Sequence, residues 1–141
     1  MPMRSLFSTL INPAAVHLSL LLLRVAVAAL MLTHGWPKLS KVLAGDMQFG
    51  DPIGLGPGPS LILVAFAEGI CSLLILIGAG TRLASIPLII NFIVVFFIVH
   101  GNDPFGKREL PLLYLILYII LLIMGSGKYS VDHSLSKRSG R

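Results

Sequence analysis

Six polar or ionisable side chains lie inside long apolar stretches of this chain or at their ends. They are Arg24, His34, Glu68, Asn91, His100 and Glu109. Charged groups are costly in apolar surroundings, so they face a protein interior, find partners there and often mark function. Histidine titrates near neutral pH and, beside a carboxylate, can hold or transfer a proton. We therefore expect any chemistry that this chain performs to involve these side chains.

Arg24 and Glu68 are predicted to form an ion pair. If their apolar segments cross a membrane, a rise of about 1.5 Å per residue puts both near its middle, on neighbouring antiparallel helices. Either charge alone would be too costly at that depth. Glu68 also shares a helix face with three small residues, which let another helix approach: Ala65, Gly69 and Ser72. The pair would either organise a pocket or only fix the register of the helices.

A second group, His34, His100 and Glu109, comes from the ends of three different apolar segments and is expected at one membrane level. It predicts a proton-handling pocket for a quinone or a similar head group. The alternative is that each side chain caps its helix at the wet interface. A metal site of the His/His/Glu type is disfavoured, because no two ligands are spaced i, i+4 on one helix.

Helical rotation limits which side chains can meet. Asn91 and His100 are nine positions apart, about half a turn on an ideal helix, so they share a seam only if the helix is distorted. Tyr114 and Tyr118 share a face of the last apolar segment that differs from the face of Glu109. We interpret the two tyrosines as packing or lipid-facing residues.

The composition indicates lipid contact. Of the 141 residues, 55% are hydrophobic and 12% charged, whereas soluble domains carry about a quarter charged residues. A chain this short cannot bury so many apolar side chains in its own core. The net charge of +5 fits anchoring at the membrane surface rather than nucleic-acid binding, since basic and aromatic residues are not interleaved. The single cysteine, Cys71, excludes an internal disulfide and a CxxC mechanism.

Four apolar segments predict an all-α, four-transmembrane-helix bundle forming a single membrane domain over 1–141. The helices are expected at about 14–36, 60–79, 83–100 and 108–126. A Gly/Pro-rich outer loop is predicted at 44–59 and a mobile tail at 133–141.

Arg24 argues against reading the first segment as a cleaved signal peptide. An even number of spans puts both termini on one side, and the excess of Lys and Arg there predicts the cytoplasm. The chain is thus expected to be a multi-pass protein of the cytoplasmic (inner) membrane.

The ordered set of polar residues and turns resembles the DoxX family over roughly residues 16–132. The matching elements are Arg24, His34-Gly35 with Lys38, Glu68, the Gly78-Ala79-Gly80-Thr81-Arg82 turn, His100, Glu109, and the Gly-x-Gly-x-x-Ser-x-Asp sequence at 125–132. Some family members are associated with quinone-linked sulfur oxidation and others with oxidative-stress or thiol-redox assemblies. The resemblance implies a shared polar site.

The leading hypothesis is a redox-associated membrane protein that acts through a quinone-like small molecule or a partner oxidoreductase. The catalytic candidates are His34, Glu68, His100 and Glu109, and the ligand-binding candidates are Arg24, Lys38 and Asn91. No GxGxxG, P-loop or CxxCH motif is present, so an electron carrier would be lipid-soluble or borne by a partner.

Two other functions stay open, and the sequence does not decide whether the chain is an enzyme. One is a non-enzymatic scaffold subunit, which a dry and fully paired interior would favour. The other is a small-solute or proton pathway, which would need a wet path to both faces and a homo-oligomer to enclose it. A pocket that joins Arg24 and Glu68 to the histidines would favour the redox hypothesis.

Overall fold

The computed structural model describes residues 8–139, and these form five helices and no strand. The helices are α1 (Pro13–Leu43), α2 (Pro57–Ile77), α3 (Thr81–Val99), α4 (Phe105–Met124) and α5 (Val131–Ser139). The prediction of an all-α fold is confirmed. Apart from the end of α1, the boundaries of α1 to α4 lie within three residues of the predicted ones.

Three helices, α1, α2 and α3, are long and apolar enough to cross a membrane. Helix α4 has 20 residues, but three charged residues, Lys107, Arg108 and Glu109, lie in its first two turns and shorten its apolar part. Large apolar side chains remain exposed along the outer faces of all four helices. Because large apolar surfaces are stable against hydrocarbon, the three helices that can span a membrane contact the lipid bilayer.

Helix α1 is longer than the sequence predicted. It begins where the Asn12 side chain accepts a hydrogen bond from the Ala14 amide at 3.0 Å, with Pro13 in the first turn. It continues through Pro37 to Leu43, seven residues past the predicted end at 36. A proline removes only one hydrogen bond from the ladder, so a helix held by its neighbours can continue through it. Lys38 therefore lies on α1, one turn after His34, rather than in a loop.

Helices α1 and α2 meet most closely at Gly35. A Cβ atom at this position would overlap the Glu68 carbonyl group and lie 2.6 Å from the amide nitrogen of Gly69. In the other pair of helices, Phe92 of α3 stacks on Tyr114 and Tyr118 of α4, with ring centroids 5.2 and 5.9 Å apart. These contacts hold α1 to α2 and α3 to α4 around a common core.

Two helices contain a π-helical segment, in which the backbone takes one extra residue per turn. The segments are Phe66–Cys71 in α2 and Val95–Val99 in α3. Such segments often occur at functional sites because they redirect side chains that an α-helix would point elsewhere. Glu68 lies in the first segment, and His100 directly follows the second.

The region predicted to be a mobile tail, 133–141, is largely helical. Helix α5 covers Val131–Ser139, and residues 140 and 141 lie outside the described part of the chain. The Ser130 hydroxyl caps this helix by accepting a hydrogen bond from the His133 amide at 3.2 Å. Mobility was predicted from the polar composition of this segment; the structure shows a helix that Ser130 caps and that Asp132 joins to the α2–α3 turn.

Candidate functional site

Glu68 is the centre of a buried polar group formed by three helices. Its Oε2 atom pairs with the Lys38 ammonium group of α1, and its Oε1 atom accepts a hydrogen bond from the Asn91 amide of α3 at 3.0 Å. Glu68 and Asn91 are only 5% and 8% exposed. Both carboxylate oxygens therefore have partners, as burial of a charge requires.

A cavity of about 460 Å³ opens beside this polar group. We call it the Glu68 cavity. Lys38, Glu68 and Asn91, which contact one another, form its polar end, and its walls are mainly apolar and aromatic. Polar groups at one end of an apolar pocket are typical of small-molecule sites. The remaining lining residues are Met31, His34, Phe49, Pro52, Val64, Phe92, Val94, Val95, Val99, His100, Lys107, Leu110, Pro111 and Tyr114.

The loop between α1 and α2 forms part of the wall of the Glu68 cavity. Phe49 and Pro52 of this loop line the cavity. Lys41 holds the loop near α1 by donating a hydrogen bond to the Gln48 carbonyl at 2.7 Å and pairing with Asp46 at 3.5 Å. The segment that the sequence marked only as a Gly/Pro-rich loop thus forms part of the candidate site.

A second apolar depression, the α2–α3 groove, lies between those two helices and has a volume of about 280 Å³. Four residues line both this groove and the Glu68 cavity: Pro52, Val64, Asn91 and Val94. The groove includes side chains on the outer surface, among them Leu63, Phe66 and Ile90, which are 53%, 46% and 58% exposed. The cavity and the lipid-facing surface are thus separated by a single layer of side chains.

The π segment in α3 brings Asn91 and His100 to the same cavity. An ideal helix would place them about half a turn apart. Here the His100 amide donates to the Val95 carbonyl five residues back, at 2.9 Å, so one residue is added to the turn. The rotation between the two side chains falls by about 100°, one residue's share of a turn. The distortion that the spacing required is present.

His100 also contacts the turn that follows α3. Its Nδ1 atom lies 2.7 Å from Asp103 Oδ2. This hydrogen bond is the main reason that the pKa of the Asp103 carboxyl group is lowered from its ordinary value of 3.8. The interaction fixes the imidazole ring at the edge of the Glu68 cavity.

Arg24 does not contact Glu68, so the predicted ion pair is wrong. The Arg24 guanidinium group donates to the Ser126 carbonyl at 2.6 Å and to the Tyr129 carbonyl at 2.7 Å. Arg24 is 2% exposed and does not line the Glu68 cavity. Its role is to hold the segment between α4 and α5 against α1.

The register of α1 against α2 explains this error. Gly35 lies at Glu68, whereas Arg24 lies at Gly78, where an added Cβ atom would come within 2.8 Å of the guanidinium group. The two levels are eleven positions apart on α1 (24 to 35) and ten on α2 (68 to 78), or about 16 Å at 1.5 Å per residue. The depth estimate assumed that the start of α1 and the end of α2 lie at the same level. In the structure the end of α2 lies level with Arg24, well inside α1.

The Gly-x-Gly-x-x-Ser-x-Asp sequence closes the Arg24 end of the protein. Asp132 accepts hydrogen bonds from the amides of Gly80 and Thr81 at 2.7 and 3.2 Å, and so caps the start of α3. Its own amide donates to the Gly78 carbonyl at 2.9 Å. The glycine turn and the C-terminal sequence, far apart in the chain, are thus joined in one structural unit with Arg24.

Of the seven sequence-predicted site residues, the structure brings five together around the Glu68 cavity: His34, Lys38, Glu68, Asn91 and His100. Arg24 lies at the other end, and Glu109 is exposed and does not line the cavity. The cavity face of α4 consists instead of Lys107, Leu110, Pro111 and Tyr114, spaced i, i+3, i+4 and i+7. Glu109 is off this face because two positions along a helix turn it by about 200°.

Sequence reasoning therefore missed Lys107 and Tyr114 as site residues. Tyr114 is a cavity residue and only 7% exposed, rather than a packing or lipid-facing side chain alone. The periodic spacing from Lys107 to Tyr114 was the signal that could have identified them. Tyr118, one turn later, is fully buried and packs in the core. Among residues 8–139, no three His, Cys, Asp or Glu side chains are grouped so that they could hold a metal ion.

Comparison with known proteins gives consistent matches. The family model described as DoxX matches residues 19–101. An inner membrane protein, YqjF of Escherichia coli, is 30% identical over 125 residues, covering 84% of this chain and 92% of its own length. An uncharacterized protein of Haemophilus influenzae is 28% identical over 127 residues, covering 82% of this chain and 90% of its own length.

An uncharacterized membrane protein of Mycobacterium tuberculosis is 30% identical over 120 residues, covering 67% of this chain and 74% of its own length. No solved structure matches the chain significantly. Together with the three apolar helices that can span a membrane, these matches identify a multi-pass protein of the inner membrane. The predicted localisation and family resemblance are confirmed.

Proposed function

This chain belongs to the DoxX family, and from that premise we propose that it is a redox-associated membrane protein that binds a quinone-like small molecule in the Glu68 cavity. The observation that carries the proposal is the cavity itself. About 460 Å³ of space lies between mainly apolar walls, with Lys38, Glu68 and Asn91 at its polar end. That arrangement suits an amphiphile with a polar head group and an apolar body.

The polar end of the cavity offers donors and an acceptor to a head group. Lys38 has three N–H groups and directs only one of them to Glu68. Asn91 uses its amide N–H on Glu68, and its amide oxygen accepts no hydrogen bond from the described residues. Tyr114 adds a hydroxyl group to the lining. Quinone carbonyl oxygens would accept from Lys38 and Tyr114, while the amide oxygen of Asn91 would accept from a quinol hydroxyl.

The α2–α3 groove gives a lipid-soluble molecule a route to this site. The groove and the cavity share lining residues, so a small displacement of Val64 and Val94 would join them. A molecule dissolved in the bilayer would reach Glu68 without passing through water. This supports a ligand that partitions into the membrane.

His34 and His100 are positioned to exchange protons with water. Both line the cavity, and His34 is exposed, whereas Glu68 is not. Reduction of a quinone takes up two electrons and two protons. In this proposal a separate oxidoreductase exchanges the electrons, and the two histidines relay protons between solvent and the head group.

We further propose that α4 is a fourth span and that both termini face the cytoplasm. From Leu110 to Met124 the helix is apolar except for its tyrosines, and Lys107 and Arg108 would lie at the opposite membrane surface. Labelling with a membrane-impermeant maleimide tests this topology. Cysteine introduced at Asp46 should react in intact cells, and cysteine introduced at Ser134 only after lysis; the reverse pattern would refute the orientation.

A pathway through the protein is disfavoured by its packing. Between Arg24 and Glu68 the interior is closed by side chains that are at most 1% exposed, including Met31, Ile75, Leu88 and Leu121. A scaffold role is favoured by the complete pairing of the Glu68 carboxylate. The ligand-binding experiment separates that role from the proposed one.

The test is equilibrium binding of a short-chain benzoquinone to the purified protein in detergent. Val64→Phe should fill the cavity and weaken binding at least about tenfold, which corresponds to about 1.4 kcal/mol. Ile62→Phe is the matched control, because Ile62 is 48% exposed and lines neither the cavity nor the groove. Saturable binding that only Val64→Phe weakens would support the proposal. A folded wild-type protein that binds no quinone would overturn it and leave the scaffold role.

A further inference from the structure

A separate polar pocket lies at the Arg24 end, between the start of α3, the end of α4 and helix α5. Its volume is about 380 Å³, and we call it the Arg82 pocket. The residues that line it are Gly80, Arg82, Leu83, Met124, Gly125, Ser126, Gly127, Asp132, His133 and Ser136. None of them belongs to the Glu68 cavity.

The pocket has one apolar side and one polar side. Leu83 and Met124 are 75% and 47% exposed and lie at the ends of helices that contact lipid. Arg82, His133 and Ser136 form the side next to α5. An amphiphile could therefore lay its hydrocarbon chain along Leu83 and Met124 while its head group reaches the polar residues.

The polar side has hydrogen-bond donors that the protein does not use fully. Arg82 donates from Nη2 to the Ile123 carbonyl at 3.2 Å, which leaves most of its five N–H groups available. The Nε2 atom of His133 is buried and has no hydrogen-bond partner among the described residues. This nitrogen has almost no exposed surface, so the imidazole ring must turn toward the pocket to use it. A ligand that supplies acceptor oxygens would then satisfy both His133 and the free N–H groups of Arg82.

The acidic residue in the pocket does not oppose an anion strongly. Both carboxylate oxygens of Asp132 accept hydrogen bonds from the amides that begin α3, and the Arg24 charge lies close to it. Helix α5 adds Lys137 and Arg138 near its end. The local charge is therefore positive.

We propose that the Arg82 pocket binds the phosphate group of an anionic membrane lipid at the Arg24 end of the protein. Arg82 donates to the phosphate oxygens, and the Nε2–H of His133 does so once the imidazole ring turns toward the pocket. The acyl chains lie along Leu83 and Met124. The same chemistry would accept a free phosphate ester, so the test separates the two sources.

The experiment is native mass spectrometry of the full chain released from detergent, with phosphatidylglycerol, phosphatidylcholine or glycerol 1-phosphate added. We expect phosphatidylglycerol to be retained at least about tenfold more than the zwitterionic lipid, and the chain-free phosphate ester not to be retained. His133→Ala and Arg82→Gln should each remove most of this preference. Lys128→Gln is the matched control, because it removes one exposed positive charge at the same end but outside the pocket.

Each result bears on the proposal. Loss of the preference in His133→Ala, with Lys128→Gln unchanged, supports a lipid site even if Arg82→Gln fails to fold. Retention of glycerol 1-phosphate would overturn the lipid as the ligand and assign the pocket to a soluble phosphate ester. Equal retention of both lipids, or an equal loss in Lys128→Gln and His133→Ala, would overturn the site.

Discussion

Gly35 of α1 packs directly on the backbone of Glu68 in α2, so the residue that carries the buried carboxylate is also the point of closest approach between these helices. A side chain at position 35 would meet the Glu68 carbonyl group and the Gly69 amide. Only glycine lets α1 come close enough for Lys38, one turn further along, to reach the carboxylate. The helix contact and the polar site therefore depend on each other.

Gly35→Ala should separate α1 from α2 and lower the free energy of unfolding by about 1–3 kcal/mol, the usual effect of overpacking. The neighbouring atoms are backbone and cannot move aside without shifting a helix. Thermal unfolding in detergent measures the loss. Gly106→Ala is the control, because that glycine is also helical but a Cβ atom added there would have nothing within 4 Å, so it should be neutral or slightly stabilising. Equal stability of the two variants would refute the close contact.

Lys38→Met should destabilise the protein by about 2–3 kcal/mol, because it leaves the buried Glu68 carboxylate without a positive partner. Adding Glu68→Gln should restore part of that loss, since glutamine can still accept the hydrogen bond from Asn91. A double-mutant cycle on thermal or denaturant unfolding gives the coupling energy. The exposed Lys41–Asp46 pair, with side chains 39% and 49% exposed, is the comparison and should couple by less than about 1 kcal/mol. Similar coupling in both pairs would contradict a buried ion pair.

Composition and apolar patterning were sufficient to predict the helices, because a helix is the only way for most of these segments to satisfy their backbone in lipid. The same reasoning identified Glu68, His34 and His100, since polar groups in apolar stretches are conspicuous. It could not identify their partners. Those depend on the offset between α1 and α2, which is set by the close contact at Gly35 and not by any periodic signal.

The π segments were also beyond sequence reasoning. An extra residue in a helical turn leaves no pattern of its own, although the spacing of Asn91 and His100 showed that some distortion was needed. The end of α1 was predicted too early, at 36, because the prediction followed the apolar segment, whereas the helix continues through Pro37 to Leu43. That error moved Lys38 out of the helix and concealed its pairing with Glu68.

The His100–Asp103 contact should make the turn after α3 sensitive to acid. The hydrogen bond from His100 lowers the pKa of Asp103 below 3.8 in the folded protein. The stabilisation that ionised Asp103 gives to the folded turn is therefore complete above pH 3.8. It is lost as the pH falls through the lowered pKa of the folded state. Asp103→Asn should remove this dependence. Amide exchange in residues 100–103, compared at neutral and acidic pH, measures it, and an identical acid response in the wild type and Asp103→Asn would contradict the assignment.

Arg24→Lys should release the segment that follows α4. One ammonium group cannot span the two carbonyls of Ser126 and Tyr129 that the guanidinium group joins. Because a hydrogen bond to a charged group contributes about 1.5–3 kcal/mol, the variant should lose about 2–3 kcal/mol of stability and show faster amide exchange over 125–132. Arg138→Lys, an exposed change of the same kind in α5, should alter neither the stability nor the exchange.

Benzoquinone binding should be preserved in Arg24→Lys, since Arg24 does not line the Glu68 cavity. Loss of that binding with normal exchange over 125–132 would instead place Arg24 in the ligand site.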